Sequence, residues 1–349
     1  MGRTRVSAAA MTVLEEAVMH YTRLHLAPGS RHTYDTGVRA YTRFAAYFRP
    51  GVPAFPATDE ALRAFVSFQA MSCQYGTLKT YLYGLREYHL ARGLAFAPLA
   101  DRVGLWWTLK GIRRVHGRPA KPKQALTFPI LLRVYRAAVG DGDGLRGDAH
   151  TVFTAMLVGM FGMLRKDNLT SAGKTRAARD DAGVRRGDVT FVVPADGGRT
   201  IAWLRVRGSK TNQFSERAHL VPFVEVGGPL CPVTALRRHL EEVPAGPEEP
   251  LFLLRPVARR PPAPLAHSFF VNRMKAMLRA AGESPDNFAG HSLRRGGATL
   301  AFSLGLARHL VKAQGDWLSD IVDHYNEMDA AARLALPRAL ALHVASLQA

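Results

Sequence analysis

Two domains of different class are predicted by this sequence: an α-helical N-terminal domain, then a mixed α+β domain that is mainly helical with a small antiparallel sheet. Three observations carry that expectation. Apolar residues recur at spacings of three and four through residues 8–112. Short alternating runs rich in β-branched residues fall between 189 and 224. Between the two patterns, residues 113–124 are rich in proline and basic side chains. A length of 349 residues suits one large or two ordinary domains.

The helical half is read in order. His20–Leu24 closes a first helix before the turn signal Pro28-Gly29-Ser30. Ser30 reads as the N-cap of a second helix carrying Tyr34, Val38, Tyr41 and Ala45. Thr58-Asp59-Glu60 opens a third through Leu62, Phe65, Val66 and Phe68. Thr77–Ala91 is a fourth, with Leu78, Tyr81, Leu82, Leu85 and Tyr88 on one face. Residues 113–124 hold Arg113, Arg114, Arg118, Lys121 and Lys123, with no acid, and predict an extended basic linker. The boundaries so read are 1–112, a linker at 113–126, and 127–349. In the second domain Phe128–Val139 and His150–Leu164 read as helices. Val189–Val193, Thr200–Arg207 and His219–Val224 read as a three-stranded meander whose turn-rich tip is Gly208–Gln213. Helices resume at Val233, Phe269, Ser292, Arg308 and Ala330.

Lys and Arg number 47 against 28 Asp and Glu, a formal net charge of +19, and 38 of the 47 are Arg. Such an excess calls for a polyanion, and the planar guanidinium fork suits phosphate. A GC-rich genome, which inflates Arg, Ala and Gly, is the competing reason. A hydrophobic content of 47% supports packed cores and excludes a disordered chain. Cys73 and Cys231 are the only cysteines, which make neither a disulfide framework nor a zinc pattern, so a reducing compartment is expected. There is no apolar run long enough to span a bilayer. Glu15 and Glu16 interrupt any signal-peptide core. The expected location is intracellular and DNA-associated, in a nucleus or a bacterial nucleoid.

No His-Glu-x-x-His, Walker loop or metal-ligand cluster is written in the sequence. Asp141-Gly-Asp-Gly fails as a calcium loop because Leu145 stands where an oxygen ligand is required. No metal or cofactor is expected, so phosphate chemistry falls to side chains. His291-Ser292-Leu293-Arg294 could aim an imidazole and a guanidinium at one phosphate, with Ser292 as helix cap. His-x-x-Arg is common by chance in a chain with 13 His and 38 Arg, and it occurs three times, at His20, His89 and His291. The first two lie inside amphipathic helices, where a solvated charge is the plainer reading. The third is followed by Gly315-Asp316-Trp317 and then by Tyr325, the one tyrosine after Tyr135. Tyr325 is flanked by Asp323, His324, Asn326 and Glu327, a polar setting for an aromatic. Upstream, Gly162-Met163-Leu164-Arg165 closes an apolar helix with a cation, which the helix dipole alone would explain. Lys210 sits at the hairpin tip, where a solvated lysine is ordinary.

The order of these residues joins them. Arg165, Lys210, His291-x-x-Arg294, Trp317, Tyr325 resembles the tyrosine recombinase (phage integrase) family. The gaps, 23 positions from Arg294 to Trp317 and 8 from Trp317 to Tyr325, are similar to the family's, many members having one residue more in the last. Thr77–Arg86, Gly111-Ile112-Arg113-Arg114 and Ser209–Phe214 look similar to eukaryotic Crypton-type recombinases. The chain departs from the pattern three residues after Arg165, where Asn168 stands in place of a common acid.

The resemblance implies a helical core-binding domain, a basic linker and a catalytic domain acting on double-stranded DNA as a homodimer to homotetramer. It implies transesterification without metal or ATP: Tyr325 as nucleophile forming a 3′-phosphotyrosine, Arg165 and Arg294 on the non-bridging oxygens, His291 as proton acceptor, and Lys210 as general acid for the leaving 5′-oxygen. Trp317 is expected to pack on the site and donate its indole N–H to the phosphate. Arg113, Arg114, Arg118, Lys121 and Lys123 are expected to contact DNA, with steep salt dependence. The apolar tail after Tyr325, with Leu334, Leu336, Leu340 and Leu342, would dock either on its own domain or on a neighbouring protomer. Three alternatives remain at this stage: a type IB topoisomerase-like enzyme, a non-catalytic DNA-binding descendant of a recombinase, and a generic RNA-binding protein.

Overall fold

The computed structural model describes residues 8–117, 123–171, 183–208, 217, 219–256 and 261–325, with the side chains of residues 8–10, 23, 28, 324 and 325 outside that description. The chain divides into two compact units, Met1–Lys121 and Pro122–Ala349. Mostly helical, with one small antiparallel sheet in the second unit, the fold is of the class the sequence predicts.

In the first unit α1 (Ala8–Leu24), α2 (Pro28–Phe48), α3 (Asp59–Gln69), α4 (Tyr75–Leu90) and α5 (Val103–His116) follow one another. One core of Tyr41, Phe44, Leu62, Phe65, Leu82 and Leu105 joins α2 to α5. Thr58 caps α3 by accepting the Ala61 N–H, and Asp59 and Glu60 occupy the electropositive first turn. α2 starts earlier than expected. Pro28 opens it with Ala27 as N-cap, because proline brings a preset φ and no N–H to leave orphaned; Ser30 therefore lies inside the helix. Two glycines let α2 and α4 cross closely: a Cβ on Gly84 would lie 2.7 Å from the Tyr34 carbonyl oxygen, and one on Gly37 2.7 Å from the Tyr81 Cα. α5 runs on to His116, so Arg113 and Arg114 form its last turn rather than an extended linker. Cations there oppose the negative end of the helix dipole.

His89 corrects an expectation. It is fully buried, its Nε2 accepts the Ala57 N–H at 2.8 Å, and Nδ1 lies 2.6 Å from the Leu85 carbonyl oxygen. The imidazole is a structural cross-brace, not a solvated charge. His20 is exposed, as expected.

The second unit holds α6 (Phe128–Val139), α7 (Gly147–Phe161), α8 (Lys166–Leu169), α9 (Pro232–Glu242), α10 (His267–Ala280), α11 (His291–Ser303) and α12 (Arg308–Gly315). Its sheet runs β1 (Val189–Val192), β2 (Ile201–Val206), β3 (His219–Val224), antiparallel throughout; a separate pair joins β4 (Leu253–Leu254) to β5 (Ala263–Pro264). In β2, Ala202, Leu204 and Val206 face the core while Trp203 and Arg205 face out, the two-residue period of a half-buried strand. α7 is buried from His150 to Met160, apolar nearly all round, and forms the central pillar.

α11 lies unusually close to that pillar. A Cβ on Gly297 would sit 2.2 Å from the Met160 carbonyl oxygen, and one on Gly296 1.8 Å from that of Leu126. The paired glycines thus set the depth at which α11 presents His291 and Arg294. Ser292 does not cap this helix. Gly290 precedes its first residue, and the Ser292 hydroxyl instead accepts the Ala289 N–H. The chain entering the unit is stitched to the same region: Gln124 N–H donates to Asn287, Leu126 N–H to Ser292, and Arg295 to the Lys123 carbonyl. Among the described residues no helix is long and apolar enough to cross a membrane.

Candidate active site

Arg165 is not the terminal cation of α7, as its sequence position suggested. α7 stops at Phe161, Gly162 and Met163 turn the chain, and Arg165 immediately precedes α8. Met163 takes φ of +48°, a left-handed conformation that costs a non-glycine residue roughly 1–2 kcal/mol. Asn168 fixes the turn. It is 6% exposed; its Oδ1 accepts the Arg165 N–H at 3.2 Å and its Nδ2 donates to the Gly208 carbonyl at 3.1 Å. The residue standing in place of an acid therefore binds backbone in both directions. It ties the Arg165 turn to the end of β2, where the chain continues towards Lys210. Lys210 itself lies outside the described residues.

Arg294 is the best-held charge at the site. It is 2% exposed, and its Nη1 donates to the carbonyls of Met163 and, at 2.6 Å, Gly315. Its guanidinium carbon lies 3.6 Å from the centroid of the Trp317 ring, a cation–π contact. Trp317 is itself buried, in a cluster with Met163, Ala298, Ala301, Val311 and Val322. The ring folds back over Gly315 so tightly that a Cβ there would meet it at 1.9 Å.

His291 stands at the exposed start of α11, one turn from Arg294. Partial desolvation and the cations Arg294, Lys166 and Arg165 hold its pKa below the ordinary imidazole value, with Asp167 opposing. Solvent screening at this exposed position keeps the effect modest. Lys166 was not singled out from sequence. Its stem crosses Gly290, where an added Cβ would lie 2.7 Å from the lysine Cδ, and its Nζ pairs with Asp167 at 2.6 Å.

A 3₁₀ turn, Asp320–Tyr325, follows α12 and ends on the tyrosine. Part of its polar setting has a structural reason. Arg308 grips both carboxylate oxygens of Asp323 at 2.7 Å, and Lys312 reaches Asp320 at 3.1 Å. Val322 anchors the turn in the cluster that holds Trp317. Thus Arg294 lies against Trp317, the charges of Arg294 and Arg165 act on His291, and the turn that ends on the tyrosine packs on α11 and is ion-paired to α12. Of the predicted DNA contacts, Arg113 and Arg114 lie on α5 of the first unit, Arg118 and Lys121 lie outside the described residues, and Lys123 donates to the Asp286 carbonyl at 2.6 Å. Sequence reasoning missed Met163, Gly315, Asp316 and Arg217 as parts of the site; the Gly-Asp-Trp triplet was the available signal. Among the described residues no three His, Cys, Asp or Glu side chains gather as a metal site.

No protein-family model matches the chain, and no curated protein matches it. Solved structures do. A lambda integrase dimer bound to a COC′ core site matches at TM-score 0.56 and 16% identity, over 91% of this chain and 97% of that one. XerH site-specific recombinase bound to palindromic difH substrate, a post-cleavage complex, matches at TM-score 0.56 and 16% identity, over 86% and 79%. The Tn1549 transposon integrase in complex with transposon right end DNA matches at TM-score 0.54 and 11% identity, over 92% and 97%. All three are tyrosine recombinases, and the fold of this chain is theirs.

Proposed function

We propose that the protein is a tyrosine-type site-specific DNA recombinase that cuts and rejoins duplex DNA through a 3′-phosphotyrosine on Tyr325. The observation that carries this reading is a buried Arg294 on the helix that also presents His291, with the turn that ends at Tyr325 packed against that helix. Arg294 is held there by backbone carbonyls and an aromatic face, in a fold shared with DNA-bound integrases and recombinases.

The Tyr325 oxygen attacks the scissile phosphorus, and the bond from phosphorus to the 5′-oxygen breaks. Arg165 and Arg294 hold the charge that grows on the non-bridging oxygens. His291, kept neutral by its surroundings, takes the phenolic proton, and Lys210 supplies one to the departing 5′-hydroxyl. The phosphodiester energy is kept in the phosphotyrosine, which a second strand's 5′-hydroxyl attacks to reseal the duplex. These roles need neither ATP nor metal. Duplex DNA is the substrate, bound by two to four copies of the chain, with the basic residues of 113–123 on its backbone.

A nicked suicide substrate, from which the 5′-hydroxyl fragment is lost, tests the reading. Wild-type protein is expected to accumulate a covalent complex joined through a 3′-phosphate, and Tyr325→Phe none. A wild type that never becomes attached, or a phenylalanine variant that does, removes the assignment. Relaxation of plasmid DNA with no recombinant product would favour a type IB topoisomerase instead.

A further inference from the structure

α12 ends in a Schellman motif: the Asp316 N–H reaches the Ala313 carbonyl, the Trp317 N–H reaches that of Lys312 at 3.0 Å, and Trp317 packs with Val311 one turn back. Such a motif calls for glycine at its left-handed position. Here the glycine stands one residue too early, at 315, and Asp316 takes φ of +55° and ψ of +52°. Asp316 is also 8% exposed, a poor place for a carboxylate. Two costs are accepted at one residue, and the surroundings explain both. Gly315 cannot carry a side chain because the Trp317 ring lies across it. The Asp316 carboxylate is met by Arg217, whose Nη2 donates to Oδ1 at 3.0 Å from the segment entering β3.

The neighbours of that corner on either side both touch Arg294. Gly315 offers its carbonyl to the guanidinium, and Trp317 lays its ring against it. Among the described residues only two non-glycine residues take positive φ, Met163 and Asp316, and both border Arg294. Backbone strain gathered around one side chain is the mark of a preorganised group.

Resting on the function proposed above, we propose that Asp316, locked by Arg217, is a positioning residue for Arg294. The ion pair holds the left-handed corner at the angle that aims the Gly315 carbonyl and the Trp317 ring, and these fix the guanidinium that receives the phosphate. Asp316 does not touch DNA in this scheme. It acts through its two neighbours.

Asp316→Asn tests this without disturbing the backbone, because asparagine accepts the left-handed conformation as readily as aspartate and loses only the charge. Asp316→Gly relaxes the backbone altogether and is the second variant. Both are compared with wild type in single-turnover cleavage of three suicide substrates: an ordinary phosphodiester, one with a methylphosphonate at the scissile position, and one with a 5′-bridging sulfur. The methylphosphonate lacks the anionic oxygen that Arg294 serves, and the thiol leaving group needs no general acid. The expected result is a loss of about 10- to 100-fold on the phosphodiester, with near wild-type melting temperature. That deficit shrinks on the methylphosphonate and persists with the sulfur. Arg217→Ala gives the same pattern, and the double variant is no worse than either single one. Wild-type cleavage by Asp316→Asn overturns the proposal, as does an equal loss on all three substrates. Selective rescue by sulfur overturns it too, since the pair would then serve the β2–β3 hairpin. Failure of wild type itself on the phosphodiester would instead remove the recombinase reading.

Discussion

Two of the three His-x-x-Arg tetrads in this chain stand at opposite ends of a helix. His89-x-x-Arg92 runs off the end of α4, His291-x-x-Arg294 opens α11, and the two are built inside out relative to one another. His89 is fully buried and hydrogen-bonded to backbone, while Arg92 lies in solvent across the Tyr88 ring at 3.6 Å. In α11 the histidine faces solvent and the arginine is buried, gripping carbonyls from two distant segments. A motif of spacing alone therefore says nothing of which member is structural. At the end of α4 the histidine closes the loop before α3, and the arginine covers the Tyr88 ring and donates to the Tyr88 carbonyl at 3.4 Å. In α11 the arginine is the fixed member and the histidine the accessible one, the arrangement that the proposed function asks of them.

The widest separation is expected between the arginines. Arg294→Ala should cut the cleavage rate by about 10²–10³-fold, since it removes a preorganised charge from the phosphate. Arg92→Ala should leave single-turnover cleavage at saturating DNA unchanged; a comparable loss there would erase the distinction. The histidines should then show the opposite order in stability. His89→Ala leaves the Ala57 N–H buried without an acceptor and opens a cavity, and should cost about 2–3 kcal/mol in denaturant unfolding. His291→Ala should cost under about 0.5 kcal/mol while lowering the cleavage rate.

Asn168 offers a smaller effect on the same site. Asn168→Asp introduces the acid common among tyrosine recombinases but sets a carboxylate oxygen against the Gly208 carbonyl, where an N–H now donates. A destabilisation of about 1–3 kcal/mol is expected, with slower cleavage. Improved cleavage would show that the acid, not the backbone tie, is what the position needs.

The smallest effect is a displaced pH limb. Desolvation and neighbouring cations lower the pKa of His291, so its neutral, proton-accepting form persists below pH 6.5. Cleavage should hold level as pH falls from 7.5 to about 6.5 and decline only below that ordinary imidazole value. Neutralising a neighbour, as in Lys166→Gln, should move the limb upward. A limb unmoved by that change would remove the cations as its cause.

What was legible in the sequence was local. Phe128–Val139 and His219–Val224 were read to the residue, because periodicity and turn residues act over a few positions. Caps were less secure: Ser30 lost to Pro28, and Ser292 turned its hydroxyl to Ala289, since several candidate caps compete within one turn. The shared fold agrees with the resemblance that the order of Arg165, Lys210, His291, Arg294, Trp317 and Tyr325 suggested. The tertiary state of the charges was not. The Arg294 bond to Met163 spans 131 positions, and the His89 bond to Ala57 spans 32. No local pattern reports on either. Trp317 illustrates the limit: the spacing marked the residue, whereas the ring contact with Arg294 depends on a left-handed corner that no composition rule places at an aspartate.

The stitching of residues 123–126 onto the start of α11 has a mechanical meaning. Lys123, Gln124 and Leu126 are bonded to Arg295, Asn287 and Ser292, and the Leu126 carbonyl bears directly on Gly296. A tug on the chain entering this unit is thus felt first by the helix that carries His291 and Arg294.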